Sequence, residues 1–412
     1  MTMDQRPHRN PALPPRRPTT PPILRSRFAL GLTAAAASGR FALQECLDCG
    51  AIQYPPREAC HCCLSDRLEW RPRDGAGTLL AVTCVRKPYE TYFRERAPWR
   101  TGIVRLDCGV SVVAYLHGRC AEPPARVRVR ACLDRAGRAV LAALPDKDVT
   151  DMTDDPLMRE FSNSPKGRHV LVTDGTSEIG QAMAIAAAEA GAETVWVGAS
   201  ERWKAAPGFE ALSTIPQVTL LPLDVTDTQS VDTLAGQIGG KVDILFNTAE
   251  FHRTHSALSR RGVETARVEM EVNYFGLLRL AQAFGPAMSA RAAEVPTNAV
   301  AWVNVLSVFA LANYPSQGTF SASKAAALSL AQCLRAEFRP AGLRVLNVFP
   351  GPVDEAWNQT ELPPKIAPRR LAADVVRALE DGLEDLFPDP VARDWYERWR
   401  ADPKVLELEL TA

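Results

Sequence analysis

The chain has 412 residues, of which 46% are hydrophobic, and its formal net charge at pH 7 is zero. This length exceeds one ordinary core and predicts two domains, while the lack of any apolar run of about 18 residues excludes a membrane-spanning helix. Residues 1–22 are rich in proline and arginine and lack the apolar core of a secretory signal. We therefore expect a disordered tail there and a cytoplasmic protein.

Charge and cysteine are unevenly distributed along the chain. Residues 1–150 hold 24 basic and 14 acidic side chains, whereas the remainder holds 24 and 34. Nine of the ten cysteines precede residue 133, and Cys333 alone follows it. These differences indicate two domains of different origin, and the polar, acidic segment 146–167 is the predicted linker between them.

Two C-x-x-C pairs follow the tail. Cys46 and Cys49 form the first pair, and Cys60 and Cys63 form the second, ten residues further along. In a reducing compartment such pairs indicate zinc rather than disulfides, because four thiolates satisfy its tetrahedral preference. Cys62 is an alternative fourth ligand, although only Cys63 repeats the spacing. A closed site of four thiolates leaves no open position, so we expect a structural zinc.

Short β-branched or alternating runs follow the cysteines and predict a small OB-type barrel. The predicted strands cover residues 77–85, 102–108, 110–116, 125–133 and 138–144. Arg126, Arg128 and Arg130 alternate with valines and share one strand face, which is either a solvated face or a basic surface for an anionic partner. The loop at 87–100 mixes aromatic residues with arginines, a composition that would suit base stacking or partner docking.

This first part resembles the rubredoxin-like zinc ribbon and OB-fold family over residues 23 to about 145. The motifs that match are SGRFALQEC, C-x-x-C-G, YPPR, the second C-x-x-C, and LEW followed by a glycine-rich strand. The resemblance implies a helix and ribbon at 23–74 and a barrel at 75–145. It further implies a non-catalytic subunit that partners a thiolase-like enzyme acting on acyl-CoA.

From residue 168 the pattern alternates between apolar strands and amphipathic helices, which predicts a doubly wound, Rossmann-type parallel sheet through 168–412. The predicted elements include a strand and an Ala-rich helix after Arg168, strands at 218–225, 242–249, 300–308 and 343–351, and helices at 227–238, 262–285 and 320–339. Together the chain is predicted to be a multidomain protein, with a zinc ribbon and an all-β barrel before an α/β domain.

The second domain resembles the short-chain dehydrogenase/reductase family. Asp224 stands where that family contacts adenine, and Asn247 begins its N-(N/T)-A-G motif. The resemblance also implies where the catalytic residues would lie. Their positions hold the proton-relay asparagine, the serine, the lysine and, in place of the tyrosine, a phenylalanine: Asn273, Ser307, Lys324 and Phe320.

The two cofactor-binding motifs differ from those of the family because acidic residues stand in place of glycines. In the family turn T-G-x-x-x-G-x-G, only the last glycine is kept here, as Gly180, while Asp174 and Glu178 replace the other two and Gly175 stands beside the first. Glycine lets the backbone approach the pyrophosphate, whereas a carboxylate about 4 Å from a phosphate costs on the order of 4 kcal/mol at an effective dielectric of about 20. Glu250 replaces the last glycine of the N-x-A-G motif. We therefore expect no NAD(P) binding.

Phe320 can neither donate nor accept the proton that the family tyrosine moves. The sequence thus favours a pseudo-dehydrogenase used for assembly over the alternative, an active NAD(P)-dependent reductase of a β-ketoacyl-CoA or aldehyde. A nucleic-acid-binding function is disfavoured by the neutral charge of the whole chain. The resemblance also implies dimerisation through the helices at 262–285 and 320–339, for which the proposed apolar contacts are Leu277, Leu280, Phe284, Leu328 and Leu334.

Overall fold

A computed structural model describes residues 18–22, 26–146, 152–200, 208–259, 261–295, 298–358 and 364–410. Residues 1–17 of the predicted tail and residues 147–151 of the predicted linker lie outside this part of the chain. In the described ranges the chain forms a ribbon, a barrel and an α/β domain in that order. No helix among the described residues is long and apolar enough to cross a bilayer.

The ribbon is a helix followed by a small antiparallel sheet in the order β2-β1-β3. Its elements are α1 (Leu30–Ala37), β1 (Ala42–Cys46), β2 (Ile52–Gln53) and β3 (Leu68–Pro72). The first cysteine pair begins at Cys46, the last residue of β1, and is followed by Gly50, whose φ of +72° an L side chain rarely tolerates. Leu32 and Leu43 pack into the same core as the barrel, so the ribbon is anchored to the next unit.

The barrel is closed, with its strands in the order β4-β5-β6-β8-β7, and this confirms the predicted OB-type architecture. Its elements are β4 (Ala76–Val85), the short helix α2 (Thr91–Arg94), β5 (Trp99–Leu106), β6 (Ser111–Leu116), β7 (Ala125–Leu133) and β8 (Ala139–Pro145). Along β7, Val127 and Val129 fill the interior because alternate residues of a strand point to opposite faces.

The three arginines of β7 do share the outer face, but each is already paired with an acid. Arg126 lies 2.7 Å from Asp107, and Arg130 lies 3.1 Å from Asp381 of the α/β domain. Arg128 contacts both Asp74 and Asp146. The hypothesis of a free basic surface on this strand is therefore wrong, since the charge is neutralised within the chain.

The predicted linker packs between the two large units instead of separating them. It contains 3₁₀ turns at Met152–Asp154 and Met158–Phe161. The buried guanidinium of Arg344, in the α/β domain, donates to the carbonyls of Leu133 at 2.6 Å, Phe161 at 3.1 Å and Glu160 at 3.1 Å. Burial lowers the pKa of Arg344, and these carbonyls compensate part of its desolvation.

A second buried arginine joins the same units and orders the end of the N-terminal segment. Arg135 of the barrel donates to the carbonyls of Ala292 and Ala341 at 2.8 and 2.9 Å. It also donates to the carbonyl of Thr19, whose hydroxyl donates to Pro340. Residues 18–22, which the sequence assigns to a disordered tail, therefore lie against both units.

The α/β domain has a seven-stranded parallel sheet in the order β11-β10-β9-β12-β13-β14-β15, with helices on both faces, which confirms the predicted fold class. The strands are β9 (His169–Val172), β10 (Thr194–Ala199), β11 (Val218–Pro222), β12 (Ile244–Asn247), β13 (Ala301–Val305), β14 (Arg344–Val348) and β15 (Asp385–Leu386). The helices are α3 (Glu178–Glu189), α4 (Phe209–Ser213), α5 (Thr228–Ile238), α6 (Glu264–Met270), α7 (Leu277–Glu294), α8 (Gly318–Phe338), α9 (Pro368–Glu380), α10 (Pro390–Ala401) and α11 (Pro403–Glu409).

The long helix predicted at 262–285 is α6 and α7 joined by a π-helical segment, Glu271–Gly276, and it continues to Glu294. The apolar residues proposed for dimerisation do not lie on its free face. Leu277, Leu280 and Phe284, together with Leu334 of α8, are buried in the domain's own core, and Leu328 packs against that core. The exposed apolar side chains of this helix are instead Val268 and Phe275.

Candidate functional site

The four predicted zinc ligands lie together at one end of the ribbon. Their sulfurs are all within 4.8 Å of one another, with Cys46 Sγ 3.6 Å from Cys63 Sγ and Cys49 Sγ 3.6 Å from Cys60 Sγ. A tetrahedron with zinc–sulfur distances of about 2.3 Å has sulfur–sulfur edges of roughly 3.8 Å, so the four thiols fit zinc. Cys62 is not one of these four mutually close sulfurs and instead contacts His61 Nε2 at 3.3 Å, in a second cluster with Cys60.

Backbone N–H groups in the two cysteine turns favour the thiolate form that zinc requires. The N–H of Cys49 lowers the pKa of Cys46, and the N–H groups of Cys63 and Cys62 lower the pKa of Cys60 to about 6. Hydrogen bonds to a thiolate stabilise the charged state. When bound, a zinc ion here would hold the two turns together.

The turn after β9 is built around the carboxylate of Asp174. This carboxylate accepts hydrogen bonds from the backbone N–H and hydroxyl of Thr176 at 2.8 and 2.6 Å. Burial raises the pKa of Asp174. A Cβ on Gly180 would lie 1.6 Å from the carbonyl oxygen of Asp174, and one on Gly175 would lie 2.3 Å from Val197. Gly180, the motif glycine that is kept, and the neighbouring Gly175 are therefore both required by close packing, with or without a cofactor.

Glu178 is the first residue of α3. Ser177 caps this helix by accepting from the N–H of Gly180 at 3.1 Å. The carboxylate of Glu178 accepts the backbone N–H of Ala356 at 3.1 Å, which ties the helix start to the loop after β14. An acid at a helix N-terminus is favoured by the helix dipole, which gives Glu178 a structural reason to stand there.

The retained dehydrogenase residues are all engaged in local structure. Asp224 accepts from the N–H and hydroxyl of Thr226, and Asn247 accepts from Thr173. Ser307 accepts from the N–H of Phe309 at 3.2 Å. Each therefore has a structural reason to be present apart from catalysis.

Asn273 lies in the π-helical segment and makes three hydrogen bonds to two residues, Phe251 and Ser323. Its amide donates to the carbonyl of Phe251 and to the hydroxyl of Ser323, both at 2.9 Å, and its oxygen accepts the N–H of Phe251 at 3.0 Å. These bonds fix the loop after β12 against α8. The same loop carries Glu250 and His252.

Glu250, in that loop, forms an ion pair with Lys324. The carboxylate oxygen lies 2.7 Å from Nζ, and the lysine side chain is only 2% exposed. Nζ also donates to the carbonyl of Val305 at 3.1 Å. Since a buried ammonium needs a compensating charge, Glu250 replaces a glycine with the counter-ion of the retained lysine.

Phe320 is buried, and the imidazole of His252 stacks on its ring with a centroid distance of 3.7 Å and an interplanar angle of 13°. Burial lowers the pKa of His252 to about 4, so the imidazole is neutral at pH 7. The sequence reasoning missed His252, although its place two residues after Glu250 was a usable signal. Tyr314, a possible substitute for the lost tyrosine, packs between Phe309 and Trp395.

Two adjoining cavities lie beside these residues, a small inner one and a larger outer cleft lined by acidic side chains. An inner cavity of about 30 Å³, lined by Ser307, His252 and Phe320, has room for about one or two waters. It adjoins a cleft of about 340 Å³. Four carboxylates line the cleft or its border with the inner cavity: Asp174, Glu178, Glu250 and Glu355. Arg253 is the cationic residue among the described lining residues, and its guanidinium lies over the ring of Phe251.

Comparison with known protein families matches three successive segments of the chain. Residues 33–69 match the ChsH2 rubredoxin-like zinc ribbon domain, and residues 70–132 match the ChsH2 C-terminal OB-fold domain. Residues 168–365 match the short chain dehydrogenase family. The three matches follow the ribbon, the barrel and the α/β domain.

Individual relatives cover the α/β domain. An uncharacterized oxidoreductase of Staphylococcus aureus (strain USA300) is 31% identical over 216 residues, which are 51% of this chain and 89% of that protein. The short-chain dehydrogenase ptmH of Penicillium ochrochloron is 35% identical over 36% of this chain and 55% of its own length. The chain spans 55 to 65% of the length of the first curated relatives that it matches.

Among solved structures, a short chain dehydrogenase from Burkholderia cenocepacia in complex with NADP is 33% identical, with a TM-score of 0.55. The match covers 60% of this chain and 99% of that one. The domain therefore has a complete dehydrogenase fold. The chain belongs to the short chain dehydrogenase family through this domain, which is fused to a ChsH2-type zinc ribbon and OB-fold unit.

Proposed function

We propose that the protein is an accessory, non-catalytic subunit of a thiolase-superfamily complex that acts on acyl-CoA, and that its dehydrogenase domain serves assembly. The observation that carries the proposal is the Glu250–Lys324 ion pair beside Phe320. In this arrangement the lysine is neutralised by a carboxylate and the proton-transferring hydroxyl is absent. The ribbon and barrel supply the link to acyl-CoA chemistry, through their likeness to ChsH2.

Loss of hydride transfer follows from the chemistry of these side chains. A missing general acid or base costs typically 10²–10⁴ in rate, and neither Phe320 nor a neutral, stacked His252 replaces the tyrosine hydroxyl at its own position. The cofactor site is also unfavourable. Glu178 lies at the helix end where a pyrophosphate would bind, and each carboxylate near a phosphate costs about 4 kcal/mol at an effective dielectric of about 20.

The acids do not contribute equally to this argument. Glu250 adds little net charge because Lys324 pairs with it. Its effect is that the ammonium of Lys324 is not free to bind another partner. Asp174 has a raised pKa and is committed to its own turn. Glu178 is the first residue of α3, so it carries the main electrostatic barrier to a dinucleotide, although its exposure to solvent reduces that barrier.

An assembly function for the domain is supported by its hydrogen-bonded interface with the barrel. The carbonyl contacts of Arg344 and Arg135 join the two units, so a partner bound to the barrel would be held in a fixed relation to the α/β domain. We also propose that the domain dimerises through its long helices, whose exposed side chains include Val268 and Phe275.

The alternative function is that of an active NADP-dependent reductase. It is favoured by the Burkholderia cenocepacia dehydrogenase, which is 33% identical and was solved with NADP. The cleft of about 340 Å³ at the corresponding edge of the sheet would have to accept the cofactor despite its carboxylates.

Cofactor titration distinguishes the two functions. Calorimetry at low salt with NADPH and NADH should give dissociation constants in the millimolar range or weaker, and no turnover should be seen. The variant Asp174→Gly, Glu178→Gly, Glu250→Gly, Phe320→Tyr should bind at least tenfold more tightly than the wild type. A wild-type dissociation constant below about 10 μM would instead establish the reductase.

The partner is tested separately by purifying the chain from its natural cells and identifying the proteins that accompany it. A thiolase-superfamily chain is expected, and acyl-CoA turnover should require both chains together. A chain that purifies alone under mild conditions, with or without acyl-CoA, would contradict the accessory function.

A further inference from the structure

A cavity outside the dehydrogenase site lies where the barrel meets the linker. Its volume is about 140 Å³. Helix α2, strands β5 and β6 and the second 3₁₀ turn of the linker contribute its apolar wall, which consists of five aromatic residues: Tyr92, Phe93, Trp99, Tyr115 and Phe161. Consecutive rings in this order have centroids 5.2, 5.6, 5.1 and 5.6 Å apart. Such spacings are those of edge-to-face and tilted aromatic pairs.

The rings are fixed by hydrogen bonds that satisfy their own polar groups. Trp99 donates its indole N–H to the carbonyl of Phe93 at 2.9 Å, and Tyr92 donates its hydroxyl to Glu160 at 3.0 Å. Burial and the neighbouring Glu160 carboxylate raise the pKa of Tyr92, so this hydroxyl remains a donor. Arg96 in turn neutralises Glu160 at 2.6 Å. The wall is therefore a preformed apolar surface with its buried polar atoms paired.

One charged side chain of the cavity has no such partner. Arg138, in the turn between β7 and β8, lines the cavity, and its guanidinium makes no hydrogen bond or ion pair with any described residue. Asp134 also lines the cavity, but its carboxylate accepts the backbone N–H groups of Ala136 and Arg138 at 2.9 Å each. Arg138 as a whole residue is half-buried and lines the cavity, so its guanidinium is available to an anion that enters there.

We propose that this cavity binds a small aromatic carboxylate, with its ring against the aromatic wall and its carboxylate on Arg138. The size supports a single ring, because an apolar cavity of about 150 Å³ in another protein holds benzene. Arginine suits a carboxylate because its planar fork donates two parallel hydrogen bonds. Pro21 and Pro22 line the same cavity, so the N-terminal segment borders the bound ring.

Stacking of nucleic-acid bases on this loop is a poorer fit. Of the aromatic residues in the loop at 87–100, Tyr92 and Trp99 are buried and Phe93 is half-buried, and only Tyr89 is largely exposed at 90%. A single exposed ring does not make a platform for successive bases. The inward-facing rings instead favour a ligand that enters the cavity.

The test uses benzoate and the full chain in calorimetry, with ligand-observed NMR as a second readout. The wild type should bind benzoate with a sub-millimolar to millimolar dissociation constant. Benzyl alcohol, which lacks the charge, and cyclohexanecarboxylate, which lacks the aromatic ring, should each bind at least fivefold more weakly. Equal binding of all three compounds, or no benzoate binding at 10 mM (roughly −3 kcal/mol at that limit), would overturn the proposal.

Two variants and a matched control assign the site. Arg138→Gln should weaken benzoate binding about tenfold to a hundredfold, because it removes a charge-assisted hydrogen-bond donor. Phe93→Leu, which keeps an apolar wall, should weaken it about threefold to tenfold. Arg105→Gln removes an exposed arginine on the outer face of β5 and should leave binding unchanged. Thermal unfolding verifies that each variant is folded, and equal losses for Arg105→Gln and Arg138→Gln would contradict the assignment.

Discussion

At the scale of single residues, Glu250 and Lys324 form an ion pair in which the lysine is retained from the family and the glutamate replaces a family glycine. The lysine side chain is 2% exposed and its partner carboxylate is 19% exposed, so the ammonium depends on this counter-ion. A glycine at 250 requires another partner for the lysine, such as a tyrosine hydroxyl or a bound ligand. Glu250 therefore supplies the buried ammonium with an oxygen partner that the side chain of Phe320 lacks.

Restoring glycine at 250 alone should destabilise the fold. Glu250→Gly leaves Lys324 buried without a counter-ion, and we expect the free energy of unfolding to fall by roughly 3 kcal/mol. The double variant Glu250→Gly, Lys324→Met should regain most of that loss, since no buried charge remains. Urea denaturation of the four proteins in the cycle measures the coupling, and a single variant as stable as the wild type would show that the pair is not stabilising.

His252 should make the domain sensitive to acid. Its pKa is about 4 in the folded chain and about 6.5 in an unfolded one, so the unfolded state binds a proton that the folded state refuses. Stability should therefore fall as pH drops from about 6.5 to about 4, by up to about 3 kcal/mol. His252→Phe, which can keep the stack on Phe320, should flatten this dependence. Parallel curves for the two proteins in denaturation between pH 7 and 4.5 would contradict the prediction.

Single residues also show which features of the site could be predicted from the sequence and which could not. The acids at 174, 178 and 250 and the lost tyrosine were visible in the chain, because a family motif fixes which residue type to expect. Their partners were not visible. Ala356 and Lys324 meet Glu178 and Glu250 only after the parallel strands bring distant loops to one edge of the sheet. His252 escaped notice because no motif position was assigned to it.

At the scale of elements, strand and helix order followed from periodicity, and the barrel and the parallel sheet are as predicted. The packing of the linker and the surface available for dimer contacts could not be predicted from the sequence. Polar composition suggested a free linker, yet its 3₁₀ turns place Met158 and Phe161 in a core. Leucine spacing on α7 and α8 suggested a dimer face, but a sheet-packed helix needs the same apolar stripe for its own core.

The ribbon is the element whose stability depends most on a ligand. Cys63→Ser removes one of four thiolates and should abolish the single zinc expected per chain, because the remaining ligands do not close the tetrahedron. Elemental analysis measures the metal content, and hydrogen exchange should show faster exchange in β1 and β3 with β9 to β14 unchanged. Cys62→Ser is the matched control and should keep the zinc. Zinc loss in Cys62→Ser with retention in Cys63→Ser would exchange the two assignments.

At the scale of the whole molecule, the two units should unfold together. Arg344→Leu leaves the carbonyls of Leu133, Glu160 and Phe161 without their donor, and the cost is about 1–3 kcal/mol for each buried unpaired group. We expect the thermal transition to separate into two, one for each unit. Arg130→Gln breaks only an exposed pair with Asp381 and should cost less than about 1 kcal/mol. A single unshifted transition in Arg344→Leu would show that other contacts hold the junction.

The last prediction concerns assembly of the chain with itself. Phe275 lies in the π-helical segment between α6 and α7 and is 42% exposed. Val268, on α6, is also 42% exposed. A carboxylate at such a position would be desolvated in a dimer but hydrated in a monomer, so Phe275→Asp should convert dimers to monomers without unfolding them. Light scattering at micromolar concentration should give about twice the chain mass of 45.0 kDa for the wild type and about that mass for the variant. Val405→Asp changes a similarly exposed residue on α11 and should leave the dimer intact. A wild-type monomer would contradict dimerisation, whereas a dimer that survives Phe275→Asp would place the assembly surface elsewhere.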